Sequence, residues 1–477
     1  MSRGPEPNLG LGRRETWWLF GLALALRLLV ALWGAERFPP ADDGSFYHVV
    51  ATRIAQGDGY TWAWPDGAIT YAAHYPVGYP ALLGAAYALL GSSPLVAMLV
   101  NALGGALLVA AVHRIALQFA SLRRARLAAL AIALHPTLLL YTVALMTEAL
   151  AASLLVALAA GALWLGREPR SKWWWPALGA GAALLVLMRP QLLPMLAALG
   201  ALAVWVPPET SARRALLARA AAATQVVLLA LVLCLPWTWR NCEKMDGCVF
   251  VSANGGWNLL IGTLPEGKGS FAPIAGATVP QECREVFGEA GKDRCFGRAG
   301  ARRIAEQPLT WLALAPQKLG QLFDHAAVAA SYLSASNPEL VRDRFKLGIA
   351  ALETLYSRLL LLGACVGLLH GSHGRVERTL ALLAAGFTLT PWGYLAELAV
   401  LGRLLAARPT PGRAPLALTA AALLLLLIAT HVVFFGAARY ALIWLPWLAL
   451  LMVSSPPGPT GRALGGLGKP EVHQRTP

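Results

Sequence analysis

Adjacent carboxylates, Asp42 and Asp43, stand in the run Ala41-Asp42-Asp43-Gly44-Ser45-Phe46-Tyr47-His48, the densest group of reactive side chains in the sequence. Two acids side by side can act as a general base and as a ligand for a hydroxyl or a metal ion, and their mutual repulsion favours taking up a proton. The alternative is structural: Asp is a favoured helix N-cap, worth about 1 kcal/mol, and residues 49–55 continue with helical periodicity. A second segment, Tyr71-Ala72-Ala73-His74-Tyr75-Pro76-Val77-Gly78-Tyr79-Pro80, suits an extended strap whose aromatic rings either stack on sugar faces or sit in a membrane-interface belt. In Ser252-Ala253-Asn254-Gly255-Gly256-Trp257-Asn258-Leu259, a glycine pair offers a tight turn and exposed N–H groups beside an indole. Phosphate or saccharide can be held that way, and so can an ordinary polar turn. Arg439, in Gly436-Ala437-Ala438-Arg439-Tyr440, matches a phosphate bidentately or anchors a membrane edge.

The elements that must position these groups are membrane helices. Of 477 residues, 57% are apolar and only 14% charged, and the mean hydropathy is +0.55. Soluble domains carry about a quarter charged residues, so an ordinary cytosolic enzyme is excluded. The net charge of +15 comes from short basic clusters between apolar runs, which excludes the continuous basic face of a nucleic-acid binder. Ten crossings are expected, at 17–34, 94–119, 127–140, 142–165, 173–188, 191–206, 221–239, 347–370, 415–435 and 440–453, with an interfacial helix at 81–91. Arg13, Arg14, Arg123, Arg124, Arg126, Arg167, Arg170, Lys172, Arg213, Arg214 and Arg219 then share one side, the cytoplasm by the positive-inside rule. The first apolar run contains Arg27 and lacks a small-residue cleavage site, so it reads as an uncleaved helix.

Residues 379–401 break the alternation. As a single crossing they would carry Arg403, Arg408 and Arg413 to the outer side, whereas Pro391-Trp392-Gly393 splits the run. A broken hairpin or re-entrant segment is therefore expected there. The chain divides into a cytoplasmic N-terminus (1–16), a transmembrane core (17–236) with a first outer loop (35–93), a long periplasmic loop (237–346), a C-terminal transmembrane region (347–453) and a disordered cytoplasmic tail (454–477). Four of six cysteines fall in the long loop, and pairing of Cys242 with Cys248 and of Cys283 with Cys295 is expected in an oxidising compartment. Arg27, Glu148 and Arg189 lie at membrane depth, where charge faces a bundle interior or a wet path; a structural pair of Arg27 with Glu148 is the other reading.

Taken in order, Leu26-Arg27-Leu28, Asp43 with Tyr47 and His48, His74-Tyr75-Pro76-Val77-Gly78-Tyr79-Pro80, Thr147-Glu148, Arg189-Pro190, Arg240-Asn241, Asn254 to Leu259 and Arg439-Tyr440 resemble the GT-C superfamily of integral-membrane glycosyltransferases. Within it they are most similar to the bacterial protein mannosyltransferases and lipid A aminoarabinose transferases. The resemblance covers about residues 17–453. It implies an all-α polytopic protein that moves a monosaccharide, with inversion, from a polyprenyl-phosphate donor to an envelope lipid, glycan or protein at the outer face. It makes Asp43 the base, with Asp42 as neighbour and alternative. It gives Arg439, Arg240 or Arg189 the developing phosphate charge, His48 and His74 donors to the same phosphate, and Glu148 the substrate hydroxyls. Tyr47, Asn254, Trp257 and Tyr440 complete the implied substrate-binding set. A divalent metal ion near Asp42 and Asp43 is compatible with it. The chain departs from some relatives in having Asp-Asp-Gly where they carry Asp-Glu, and in its four loop cysteines. High Ala, Leu and Arg content points to a bacterial inner membrane with a periplasmic site. Rival readings are a secondary transporter, although no matched pair of interrupted helices is seen, and a non-catalytic protein of envelope assembly.

Overall fold

The computed structural model describes residues 7–167, 174–204, 206–207, 210–372, 374–407 and 414–454. All of the tail expected at 454–477 except Ser454, and the basic residues Arg170, Lys172, Arg408 and Arg413, lie outside the described residues. The described chain is helical but for one antiparallel hairpin, Thr61–Ala63 with Ile69–Tyr71, in which Thr61 faces Tyr71. Six described helices are long and apolar enough to cross a membrane, and the chain is an integral membrane protein: Leu11–Gly34, Pro94–Ala116, Thr147–Gly166, Ala212–Lys244, Asp343–His370 and Leu416–Val433. Leu122–Ala133 and Pro136–Val143, bent by 54°, make a seventh if counted as one span. His135-Pro136 supplies the bend, since proline cannot continue the hydrogen-bond ladder. The other three expected crossings are helices of 15, 8 and 8 residues, Trp174–Met188, Met195–Leu202 and Leu445–Met452. At 1.5 Å per residue an eight-residue helix reaches about 12 Å, well short of a bilayer core.

Local sequence explains several boundaries. Pro94–Ala116 starts at Ser93, whose hydroxyl accepts from the Leu95 N–H at 3.2 Å, with Pro94 in the first turn. Asp43–Gln56 ends at Gly57, held at φ 88°, where a side chain would be strained. Pro94–Ala116 packs along the first helix and along Thr147–Arg167. Its Gly104 and Gly105 permit this: a Cβ at 104 would strike Leu150 and one at 105 would strike the Arg27 guanidinium.

The segment 379–401 forms a hairpin. Arg375–Thr388 and Gly393–Ala406 pack side by side across the Pro391-Trp392 break. Arg403 closes the open end: its Nε donates to Ser372 Oγ at 2.8 Å and its Nη2 lies 3.3 Å from Glu377. Residues 372 and 403 are therefore at the same end, as the broken-hairpin expectation requires.

In the long loop, Cys242 pairs with Cys248 and Cys283 with Cys295, while Cys234 and Cys365 are free and buried. The loop has a small core of its own in Leu260, Cys283, Cys295, Phe296 and Ala299. Ala253 N–H donates to the Ala73 carbonyl at 2.7 Å, which ties this loop to the first one.

Candidate active site

The helix Asp43–Gln56 begins right after the first crossing. Asp42 occupies the N-cap position but makes no side-chain capping bond; its backbone lies at φ 50°, ψ −132°. A non-glycine residue there is strained by roughly 1–3 kcal/mol, a cost found mainly at functional sites. Among the described residues the Asp42 carboxylate has no hydrogen-bond or ion-pair partner. What fixes the turn is Tyr332, whose hydroxyl accepts from the N–H groups of Ala41 at 3.3 Å and Leu145 at 3.2 Å. Gly44 is required beside it, because a Cβ would come within 2.8 Å of that hydroxyl and 3.1 Å of the Leu145 carbonyl.

From Asp43 an alternating chain of charge runs into the protein. Asp43 Oδ1 accepts from the Tyr75 hydroxyl at 2.7 Å, and Oδ2 accepts from Nη1 of Arg439 at 2.9 Å. Arg439 Nε lies 3.5 Å from Oε1 of Glu148, and the same oxygen pairs with Nη2 of Arg189. Glu148, only 4% exposed, takes a further bond from the Tyr141 hydroxyl at 3.4 Å. Both guanidinium carbons lie 5.2 Å from the centre of the Tyr440 ring, on which His431 stacks at 4.6 Å. Two acids and two cations thus offset one another, as burial demands. Burial and the nearby Asp43 charge push the Tyr75 hydroxyl well up, so it stays protonated and donates.

The members come from four places: the exit of the first crossing, the start of Thr147–Arg167, the residue after Trp174–Met188, and the turn after Ala414–Val433. Each is a helix end, where backbone groups are already unpaired and side chains can reach a common space. Glu148 pairs with Arg189 and Arg439, and not with Arg27 as one reading of the sequence had it. Arg27 is 1% exposed; it donates to the Ala23 carbonyl at 3.3 Å, and its Nε and Nη2 have no hydrogen-bond partner among the described residues.

The other sequence candidates lie around this chain of charge. Tyr47 is buried edge-on to Tyr75 and Tyr79. His48 shares a hydrogen bond with the Tyr87 hydroxyl at 2.8 Å. His74 is wedged edge-on between Tyr75 and Trp257; burial lowers its pKa, with Asp43 and the Ala253 backbone pulling the other way. Arg240 donates to the carbonyls of Ala72 at 2.8 Å and Tyr60 at 2.7 Å and lies over the Tyr60, Tyr71 and Trp237 rings. Its guanidinium is used to fasten the strap to the Ala212–Lys244 helix. Asn254 accepts from Ser252 Oγ at 3.1 Å.

The glycine turn already holds an anion. Asp293 Oδ1 accepts from Gly256 N–H at 2.7 Å and Trp257 N–H at 3.1 Å. Glu289, on the same Glu289–Glu306 helix, accepts from Ala73 N–H at 2.5 Å, and burial raises the pKa of both acids. Tyr75, Tyr141, Tyr332 and Asp293 were not among the sequence candidates. Tyr75 alone carried a signal, its place in the strap beside His74.

Among the described residues no group of three or more His, Cys, Asp or Glu side chains gathers to hold a metal ion. Asp43 has both oxygens engaged within the protein, and the Asp42 carboxylate has no partner among the described residues.

No protein-family model matches the chain, and no curated protein matches it. Solved structures do. One is the oligosaccharyltransferase AglB from Archaeoglobus fulgidus in complex with an inhibitory peptide and a dolichol-phosphate, with a TM-score of 0.44, 14% identity, and coverage of 92% of this chain and 50% of that one. The Archaeoglobus fulgidus oligosaccharyltransferase complex with Zn and sulfate gives 0.42 and 14%, covering 91% and 48%. ArnT from Cupriavidus metallidurans bound to undecaprenyl phosphate gives 0.40 and 15%, covering 92% and 77%. The chain spans about half the length of the archaeal proteins it matches. The likeness is distant.

Proposed function

We propose that the protein is a membrane glycosyltransferase of the GT-C type, moving a monosaccharide from a polyprenyl-phosphate donor to an envelope acceptor on the periplasmic side. The observation that carries this reading is the convergence of Asp43, Arg439, Glu148 and Arg189, from four distant segments, at one cluster of helix ends. A phosphate ester needs fixed cations at its leaving oxygen and an acid–base group across from them, and this cluster supplies both.

In the proposed step the acceptor hydroxyl attacks the anomeric carbon as its proton passes to Asp43. The bond from that carbon to the phosphate oxygen breaks, and the electron pair leaves with the phosphate. Attack from the opposite face inverts the anomeric centre. Arg439 and Arg189 take up the charge that develops on the leaving group in a site of low dielectric, where such stabilisation is strongest. Without donor, Arg439 occupies one oxygen of Asp43. An incoming phosphate competes for that guanidinium and frees the carboxylate to accept a proton. Tyr75 holds the other oxygen and so aims the carboxylate. Glu148, between the two arginines, keeps them in place. Arg240, Asn254 and Trp257 act indirectly in this reading, by holding the strap and loop around the site.

The test is transfer of radiolabelled sugar from polyprenyl-phosphate donors in membranes containing the wild-type chain, Asp43→Asn, Asp42→Asn or the double variant Asp42→Asn/Asp43→Asn. Transfer should vanish in Asp43→Asn with normal amounts of protein in the membrane, and persist in Asp42→Asn. Full transfer by Asp43→Asn would reject the base assignment, and full transfer by the double variant would reject the site.

A further inference from the structure

A cleft of about 660 Å³ opens between the helix Ala315–Phe323, the turn at 392–394 and the backbone of 437–438. It lies within the roughly 300–1,000 Å³ that small ligands occupy. Gln317 and Gln321 stand one turn apart on the exposed face of that helix, with His325 just beyond its end, while Lys318, Leu319 and Leu322 face inward. Trp392, 57% exposed, stands at the mouth. It is held there by Asp324, whose Oδ1 accepts from Tyr394 N–H at 2.9 Å and whose carbonyl accepts from Arg358 at 2.8 Å. Among the described residues, the side chains of Gln317, Gln321, His325 and Ser331 make no hydrogen bonds within the protein.

Two connections join this cleft to the charge cluster. Its wall residue Ala438 directly precedes Arg439, and its wall residue Ser331 directly precedes Tyr332, which fixes the Asp42–Asp43 turn. We propose that the cleft is the acceptor subsite and that it takes a carbohydrate. The assignment rests on the transferase reading above and names its acceptor class.

The lining chemistry supports a saccharide. A pyranose offers a C–H face, which packs on an exposed indole, and hydroxyls that both donate and accept, as free carboxamides do. A phosphorylated headgroup would call for several cations, whereas among the described lining residues Lys268 is the one Lys or Arg. A peptide bound by strand addition would need an open strand edge, and the described strands are confined to Thr61–Ala63 and Ile69–Tyr71.

The test is saturation-transfer NMR on the full chain in nanodiscs, with free trisaccharides of glucose, mannose, galactose and N-acetylglucosamine as probes and a Ser/Thr-containing heptapeptide as competitor. At least one trisaccharide should receive saturation from the wild type. The effect should fall at least tenfold in Trp392→Ala and in Gln317→Leu/Gln321→Leu, the latter altering only an exposed helix face. It should persist in Asp43→Asn, which removes the base and not the cleft. No saturation of any probe, equal saturation in wild type and both cleft variants, or full displacement by the peptide would each overturn the assignment. Sugar transfer bears separately on the enzyme reading: if membranes with the wild-type chain transfer no sugar from any polyprenyl-phosphate donor, that reading fails, whatever the cleft binds.

Discussion

Arg439 touches Asp43 and Glu148 at once, so no residue of the site can be changed without altering the state of another. Tyr75→Phe removes one bond to a charged oxygen, worth about 1.5–3 kcal/mol, so kcat/KM should fall roughly ten- to hundredfold. A fall in kcat with unchanged KM for the donor would mark Tyr75 as a group that aims Asp43 and does not hold substrate. Glu148→Ala leaves the partly exposed guanidiniums of Arg189 and Arg439 without their shared, buried counter-charge. Breaking a buried pair costs about 3–5 kcal/mol, and thermal unfolding in detergent should show that loss, whereas a surface pair such as Arg302 with Glu282 should cost almost nothing. Much of this site was legible in the sequence because an Asp pair, a Glu and two Arg are rare beside apolar runs. The tyrosines were not: in a membrane protein they fit an interfacial belt equally well, and only the fold tells which hydroxyl meets a carboxylate. The role of Gly255-Gly256 was hidden for a related reason, since its anion comes from Asp293, 37 residues along the chain from Gly256.

Individual elements show where sequence periodicity succeeds and where it stops. The proline break at 391 announced the hairpin, because a missing N–H interrupts any helix. The full extent of Ala212–Lys244 was not legible: Arg213, Arg214 and Arg219 looked like a loop, yet the helix continues through them. Basic residues mark where lipid ends, and a helix need not end there. The strap 71–80 carries a pH prediction. His74 is held below its ordinary 6.5 by burial, so as pH falls the undocked strap takes up a proton first and the docked form loses stability from about pH 6.5 downward. Protection factors at the amides of residues 71–75, corrected for the intrinsic slowing of exchange at lower pH, should fall between about pH 7.5 and pH 5.5 in wild type and change less in His74→Gln. Glu289, raised by burial, works in the opposite sense, so the difference between the two proteins isolates the histidine. The loop's second disulfide joins residues 12 apart, and closing a ring of that size stabilises by about 3 kcal/mol. Cys283→Ala/Cys295→Ala should therefore loosen the helix bearing Glu289 and Asp293, read as faster proteolysis within 280–306.

At the scale of the whole molecule, the hairpin at 375–406 sets sidedness. Because Arg403 bonds to Ser372 and pairs with Glu377, the segment after the hairpin returns to the end from which it left. Cysteines introduced singly at Arg375 and Ala407 should react with a membrane-impermeant maleimide from one face, and a cysteine at Phe287 from the other. Labelling of 375 and 407 from opposite faces would contradict the hairpin.

Asp43 and Arg439 are separated by 396 positions along the chain. Ribosomal synthesis therefore delivers the acid long before its partner, and the pocket cannot assemble until the spans between them have been inserted. A polypeptide interrupted anywhere between them carries half a site, so stop codons late in the gene should be as silencing as early ones. Two co-expressed halves should regain activity only if they find each other in the bilayer.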